Sequence, residues 1–398
     1  MGALDDLKVA DFSWVGAGPR ATKDLADNGA TVIKIESRKR LDLGRMSPPF
    51  APAGRSNPDA SAFFAQSNTS KKSVTIDLTD PRGVEMAKSL VGWADVVVEN
   101  FGPGFMDRIG LGFDELKSIK PNIILASVSV AGRSGPMAGF RGYGNSAAAQ
   151  SGHAAMSGWP GSEPHMPPFA YGDVVAPMFL TVGILAALEH RDRTGQGQHV
   201  DVSQIEPMVH VIADLFADPA IAGKPGNAHP LFAPHGVFPC RGDENWIAIA
   251  VETDAQWAAL CAVLRAPDWV RSGDYAAASA RIADRERLEA AVGALTRDFD
   301  KFELAARLGE AGVPAGPVLD GKEVFENEEL RAAGHFVQCQ HPVLGPSMMP
   351  APPMLFTDTP SEVRRAPLLG EHTLEVFTNT LGGESDRVER LRREEVLA

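Results

Sequence analysis

Cysteine is scarce in this chain: Cys240, Cys261 and Cys339 are the only three in 398 residues. Their spacing makes neither a Cys-x-x-Cys motif nor a disulfide framework, which points to a reducing compartment, most simply the cytoplasm. Positive charge is also short, with 38 Lys and Arg against 51 Asp and Glu, a formal net charge of −13. So acidic a chain is a poor ligand for nucleic acid or an anionic membrane. An anionic ligand would need a local basic pocket. The stretch from Met1 to Asp11 is polar and carries acids, so no secretory leader is expected there. The apolar run from Val174 to Leu188 holds fifteen uncharged residues, broken by Pro177 and Gly183. That falls short of the roughly 20 residues needed to cross a bilayer, so a core helix wrapped by protein on most sides is expected.

What is present is an alternation of short apolar strands and helices, which implies a parallel, doubly wound α/β sheet. Strands are expected at Leu7 to Val15, Thr31 to Ile35, Ser73 to Leu78, Val96 to Glu99 and Ile123 to Val130. Asp80-Pro81 opens a helix running to Trp93, Asp as cap and Pro at the first helical position. Gly16, Gly18 and Ala21 follow the first strand, and Glu36 ends the second, the spacing of a Rossmann-like dinucleotide fold. That pattern fits a nicotinamide cofactor or merely a tight βαβ crossover. Pro19 removes an N–H that a pyrophosphate would use, which favours the crossover. Two basic runs, Arg38, Lys39, Arg40 and Arg45, then Lys71 and Lys72, flank early strand ends. They are either solvated surface or a phosphate site.

Asn100, Phe101 and Arg108 straddle a Gly-Pro-Gly turn, and a Gly-, Ser-, Ala- and Pro-rich segment carrying Arg141 and Tyr143 leads to Asp173. Asp173 stands just before the apolar run. It reads as a plain N-cap, or as a carboxylate that the helix start keeps ionised for nucleophilic work. The sequence suggests a large domain over 1–205, a linker over 206–233, a small α+β domain over 234–325, and a segment 326–398 returning to the large domain. GVFPCRGDENWIAIAV reads as a hairpin, and His235-Gly236 as a mobile loop over a site or a turn. Gly312 to Leu319 reads as a second Pro/Gly boundary.

Taken in order, DFSWVGAGP, GATVIKIE, NTSKKSVTIDL, ADVVVENFGPG, DRIGLGFDEL, GILAALEHRDRTGQGQHVDVS, AGVPAGPVL and PLLGEHT resemble the class III CoA-transferases, the family of formyl-CoA transferase and carnitine CoA-transferase. The resemblance runs nearly end to end. It implies a transferase that moves CoA from an acyl-CoA to a carboxylic acid, with CoA as substrate and no permanently bound cofactor or metal. By position, Asp173 matches the nucleophile that forms a mixed anhydride and then an aspartyl-CoA thioester. Val15, Ala17, Lys71, Asn100, Phe101, Arg108 and Arg141 match positions lining the CoA site, and Arg38 lies beside one more. The family also implies an interlocked dimer, either two copies or a pair of related subunits.

Where formyl-CoA transferase carries a glutamine, this chain has Gly16, and APHGVFPC replaces that enzyme's glycine-rich loop, so a bulkier acyl group is expected. The catalytic histidine of the related α-methylacyl-CoA racemases is replaced by Gly142-Tyr143-Gly144, which counts against racemisation. FSWVGAGPRATKDLADNGATVIKIESRKRLDLGR and GWPGSEPHMPPFAYGDVVAP are similar to benzylsuccinate CoA-transferase subunits, which suggests succinyl-CoA or another dicarboxylic acyl-CoA as donor. A non-catalytic partner subunit is the other reading of the same resemblance.

Overall fold

In the computed structural model of the chain, residues 2–213, 224 and 226–397 are described. Runs such as Val96–Glu99 (VVVE) carry no polar face, so they bury both sides and form parallel strands covered above and below. Six strands, β1 (Lys8–Asp11), β2 (Thr31–Glu36), β3 (Lys72–Thr75), β4 (Val96–Glu99), β5 (Ile124–Ser129) and β6 (His199–Ser203), make one sheet. Their order is β3-β2-β1-β4-β5-β6, with every pairing parallel. Chain direction across the sheet reverses between β1 and β4, and in open α/β sheets ligands settle outside the strand ends at that point. The edge strand β6 was not among the strands expected from sequence.

The first strand is shorter than expected. It stops at Asp11 because the buried Asp11 carboxylate accepts the Ser13 N–H and hydroxyl, pulling the chain out of the ladder. Helix α1 (Ala17–Asp27) follows, then α2 (Pro81–Trp93), capped by the Asp80 side chain on the Arg82 N–H with Pro81 at its start. A short helix α3 (Gly144–Gln150) precedes α4 (Gly172–Thr194), which ends on Gly195 at φ 72°.

Two expectations about α4 are corrected. Asp173 is not its N-cap: Tyr171 holds that position and Asp173 lies inside the first turn. The reason is a close crossing with α3. A Cβ on Gly144 would stand 2.6 Å from the Asp173 nitrogen, and one on Gly172 2.9 Å from the Ala147 Cβ. Only glycine lets the helix begin a residue early there. Nor is α4 enclosed on most sides. Val175, Ala176, Leu180, Ile184 and Ala187 are buried, while Met178, Phe179, Val182 and Leu185 are exposed, Val182 by 65%. At 23 residues the helix is long and apolar enough to cross a membrane by length and composition. Its fully buried face packs with α1 and β5 in the sheet's core, the role of a structural helix.

The chain divides into two compact units. The larger comprises Met1–Ala154, Met166–Pro219 and Glu329–Ala398. Its C-terminal segment carries the hairpin β10 (Phe336–His341) and β11 (Gly345–Pro350). The same segment puts Val376, Phe377, Val388, Leu391, Val396 and Leu397 into one core with Ile33, Val74, Leu90 and Val97. The smaller unit comprises Ala155–His165 and Ala220–Glu328. Its sheet is antiparallel, β7 (His235–Pro239), β8 (Trp246–Ala250) and β9 (Ala315–Val318), over a core of Phe238, Ile247, Ile249, Trp257, Leu260, Leu304 and Leu308.

Boundaries differ from those expected. Residues 155–165 go with the small unit, and the stretch taken as a linker from 206 begins inside a helix, Ile205–Val211. The rest of that stretch lies partly outside the described residues. His235-Gly236 is neither loop nor turn but the start of β7, with the His235 N–H donating to Glu289 Oε1 at 3.1 Å. The Pro/Gly stretch at Gly312 to Leu319 supplies β9. In both places cross-strand pairing outweighs the local glycine and proline signals.

Candidate active site

The site is assembled where β1 and β4 end. Asn100 directly follows β4, and its side-chain amide spans the switch point. Oδ1 accepts the Trp14 N–H and Nδ2 donates to the Trp14 carbonyl, both at 2.7 Å. One amide thus satisfies both polar groups of one peptide residue and joins the loop after β1 to the loop after β4. Phe101 meets the Trp14 ring edge-on at 5.6 Å, Phe105 lies 4.5 Å from Phe101, and the Arg40 guanidinium stands 5.4 Å over Trp14. The next residue, Val15, has φ 65°. A β-branched residue in that region is strained, by about 1–3 kcal/mol, and must be held. Asp42 Oδ1 does so by accepting the Val15 N–H at 2.9 Å.

Beneath this loop lies a set of buried charges. Lys71 Nζ donates to Asp11 Oδ2 at 3.0 Å, the Pro19 carbonyl at 2.9 Å and Asn68 Oδ1 at 2.8 Å. Lys34 pairs with Asp42 at 3.0 Å and donates to the Ser13 carbonyl at 2.6 Å. Burial pushes the Asp11 carboxyl up, but Lys71, Lys34 and the Ser13 and Thr22 hydroxyls outweigh it and bring its pKa down to about 2. Burial pulls Lys71 down to about 8 against the upward pull of Asp11. Both are ionised at neutral pH.

Glu36, the acid at dinucleotide spacing, is also buried. Arg45 grips it with two bonds of 2.6 and 2.8 Å, and the Ser73 hydroxyl donates at 2.7 Å. A carboxylate so buried, paired with Arg45 and with about three of its four acceptor positions taken, is closed to a ribose, which favours a crossover over a nicotinamide site for the opening motif.

The basic runs therefore split. Arg45 and Lys71 are interior, whereas Lys39 and Lys72 are tied to Asp77 and Glu375. Arg38, Arg40, Arg108 and Arg141 present exposed guanidiniums, although Arg38 also donates to the Leu369 carbonyl at 3.1 Å. Val15, the buried Ala17, Asn100 and Phe101 gather at the switch point. Arg108 sits over Phe105 at 5.9 Å beside them, and Arg141 stands three residues before Gly144. Lys71 lies under the loop, all three of its donors engaged, so it has none to offer a ligand in this arrangement.

Asp173, partly buried, faces the same loop. Its Oδ1 accepts from Gln204 Nε2 at 2.8 Å and its Oδ2 from the Gly144 N–H at 3.3 Å. Arg20 Nη1 reaches its backbone carbonyl at 3.4 Å. A Cβ built on Gly16 would stand 3.3 Å from its Cβ and Cγ and 3.5 Å from Oδ2, so bare backbone faces the carboxylate. Burial raises the Asp173 pKa, and the Gly144 and Gln204 bonds and Arg20 only partly offset it. Desolvation is thus the larger effect on its proton affinity. Trp14, Arg20 and Gln204 have no assigned role in the sequence reading, and Gly144 figures there only in place of a racemase histidine. Only the tryptophan in a Gly-flanked turn carried a local signal. Among the described residues no group of three His, Cys, Asp or Glu side chains is placed to hold a metal ion.

Such a fold, with a carboxylate facing the loop at the carboxyl edge of a parallel sheet, is that of an α/β protein with a candidate site at its switch point, and comparison with known proteins gives its family. The model of CoA-transferase family III matches residues 4–373. A formyl-CoA:oxalate CoA-transferase of Rhodopseudomonas palustris (strain BisA53) is 32% identical over 97% of this chain and 95% of its own. One from Bradyrhizobium diazoefficiens is 31% identical over 100% and 97%. The crystal structure of a CAIB/BAIF family protein from Brucella suis superposes with a TM-score of 0.88 at 32% identity, covering 96% of this chain and 99% of that one. The chain belongs to CoA-transferase family III and is a class III CoA-transferase.

Lys71→Met should act on stability before binding. It strands Asp11 without its cation and should cost about 3–5 kcal/mol in urea unfolding at pH 7. Because the folded pKa of Asp11 is depressed, its contribution is present above the unfolded value near 3.8 and is lost as pH falls through about 2. The gap between wild type and variant should accordingly narrow on acidification. A variant of undiminished stability with a raised KM for acyl-CoA would instead mark Lys71 as a direct ligand.

Proposed function

We propose that Asp173 is the covalent nucleophile of CoA transfer. A single observation carries the reading. A carboxylate of raised proton affinity, gripped on two sides by neutral donors, opens toward a stretch of backbone with no side chain in the way. A desolvated carboxylate is a stronger nucleophile than a hydrated one. One oxygen attacks the thioester carbonyl of the donor, the C–S bond breaks, and a mixed anhydride forms with CoA thiolate as leaving group. The thiolate then attacks the aspartyl carbon to give aspartyl-CoA and the free donor acid, and the acceptor acid takes the CoA by the reverse steps. Val15 and Ala17, Asn100 and Phe101 would line the CoA site, with Arg38, Arg108 and Arg141 meeting its phosphates. Lys71 supports the site from below.

The relatives named above act on formyl-CoA and oxalate. For this chain we favour succinyl-CoA or another dicarboxylic acyl-CoA, because Gly16 sets no side chain beside Asp173, where even a Cβ would come within 3.3 Å of the aspartate. Racemisation is disfavoured by the same geometry, since a peptide N–H at Gly144, not an imidazole, meets Asp173. The three cysteines are free and buried, consistent with the reducing cytoplasm. The exposed apolar face of α4 is the natural surface for the expected dimer, of two copies or two related subunits.

Asp173→Ala should lower transfer by about 10⁴–10⁶-fold while CoA still binds. Retained turnover would rule the aspartate out, and lack of turnover by the purified wild-type chain with any acid would point to a required partner. Since only the ionised carboxylate attacks, kcat/KM should fall tenfold per pH unit on the acid side. The midpoint should lie above the ordinary carboxylate range of about 4.

In a panel of acyl-CoA donors and acids read by mass spectrometry, dicarboxylic donors should lead. Gly16→Gln should shift preference toward formyl-CoA by about 10–200-fold. Preference for formyl-CoA and oxalate in the wild type would reverse that assignment.

Light scattering should give twice the chain mass, with Val182→Asp shifting it toward one. A monomeric wild type would remove the dimer.

A further inference from the structure

Gln204 immediately follows β6 and is only 5% exposed. Its backbone N–H is shared between the Ser129 carbonyl at 2.8 Å and the Val130 carbonyl at 3.1 Å, so its origin is fixed by the sheet. Its Nε2 donates to Asp173 Oδ1, yet its Oε1 is buried with no hydrogen-bond partner. Buried amides normally satisfy both ends, and one that does not asks for a reason. Turning the amide over would set two oxygens 2.8 Å apart and repel. The arrangement leaves one oxygen unpaired to keep a donor trained on Oδ1.

Resting on the Asp173 reading above, we infer that Gln204 is a catalytic oxyanion donor for the steps that take place at the aspartyl carbon itself. The two Asp173 oxygens are unlike. Oδ1 is held at 2.8 Å, whereas Oδ2 has a longer 3.3 Å contact and is the one that faces Gly16. The looser Oδ2 attacks the donor thioester and becomes the bridging oxygen of the anhydride, leaving Oδ1 as the aspartyl carbonyl.

When CoA thiolate adds to Cγ, a C–S bond forms and the carbonyl electron pair moves onto Oδ1. Collapse restores the carbonyl and breaks the Cγ–Oδ2 bond, and Oδ2 departs in the carboxylate of the donor acid. The developing charge on Oδ1 thus lies at hydrogen-bond distance from Gln204 Nε2, as transition-state stabilisation requires. The acceptor acid's attack on aspartyl-CoA passes through the same oxyanion. The first and last steps place their charge on the acyl group's oxygen and do not call on Gln204.

This division can be read by rapid-quench mass spectrometry combined with a free-thiol assay. The probe is whichever of succinyl-CoA and formyl-CoA turns over faster, used at a pH above the acid limb of each enzyme. Wild type should carry CoA on the peptide containing Asp173. In Gln204→Leu the initial burst of free CoA thiol should keep its rate within about twofold. The CoA adduct should form about 10²–10³-fold more slowly, so free thiol accumulates. Gln204→Met, of similar length and with no N–H to donate, should behave likewise and covers the case in which the leucine variant does not fold.

Adduct formation at the wild-type rate in a folded variant would overturn the inference and leave the nucleophile standing. So would equal slowing of burst and adduct, which marks a residue that only orients the aspartate. Absence of any adduct on wild type would remove the nucleophile itself, and this role with it, a result visible without any variant.

Discussion

The turn from Ser13 to Gly16 must leave a central strand, pass through a left-handed valine and lay bare backbone against a carboxylate. Nothing in its own sequence makes that path favourable. It is held from outside, by Asn100 across the switch point, by Asp42 on the Val15 N–H and by Lys34 on the Ser13 carbonyl. Asp42 and Lys34 are buried, Asn100 partly so, and each is engaged by a hydrogen bond or ion pair that would be costly to leave open. The placement of Gly16 opposite Asp173 follows from this restraint as much as from the fold.

Interior ion pairs are rarely the most stable way to fill a core, since apolar residues of similar volume often do as well or better. Their presence here fits a different demand. Apolar packing tolerates small displacements, whereas a carbonyl held at 2.6 Å by an ammonium and an N–H held at 2.9 Å by a carboxylate fix direction as well as distance. The same pairing keeps Glu36 and Arg45 out of any ligand's reach. A sheet with the strand order of a dinucleotide fold is thereby left without its ribose acid. The loop glycines serve close packing instead: a Cβ on Gly18 would collide with the Ser13 side chain at 2.2 Å.

These contrasts explain what could be read in the sequence. Strands such as VVVE and the Asp80-Pro81 helix start are local patterns, and both were legible. The basic runs were not, because whether a lysine is surface or scaffold depends on partners elsewhere. Lys71 meets an aspartate sixty positions away, while Arg45 meets Glu36 only nine away but is sealed in by the Pro367 carbonyl. Asp173 stands out in the sequence through its neighbourhood and its resemblance to a family nucleophile, although it is not a cap, because Gly144 and Gly172 allow a crossing that no periodicity reveals. Gln204 left no trace at all. Nothing distinguishes a glutamine after a short strand from any other until the far side of the sheet is folded against it.

The composition of the clamps also bears on the chemistry. A cation beside Asp173 would hold its carboxylate ionised but weaken it as a nucleophile, and here the nearby lysines are cancelled. Lys34 and Lys71 are matched by Asp42 and Asp11, and Arg45 by Glu36. Of the charged groups acting on Asp173, the one that lowers its pKa is Arg20, and burial outweighs it. Paired charges can therefore lock the loop firmly while casting little net field on the carboxylate above. The remaining restraint on Asp173 comes from an amide and a peptide N–H, neutral donors that orient without neutralising. In the role proposed for it, Asp173 needs both a fixed direction and an undiminished electron pair, and separating the charged scaffold from the neutral grip supplies the two independently.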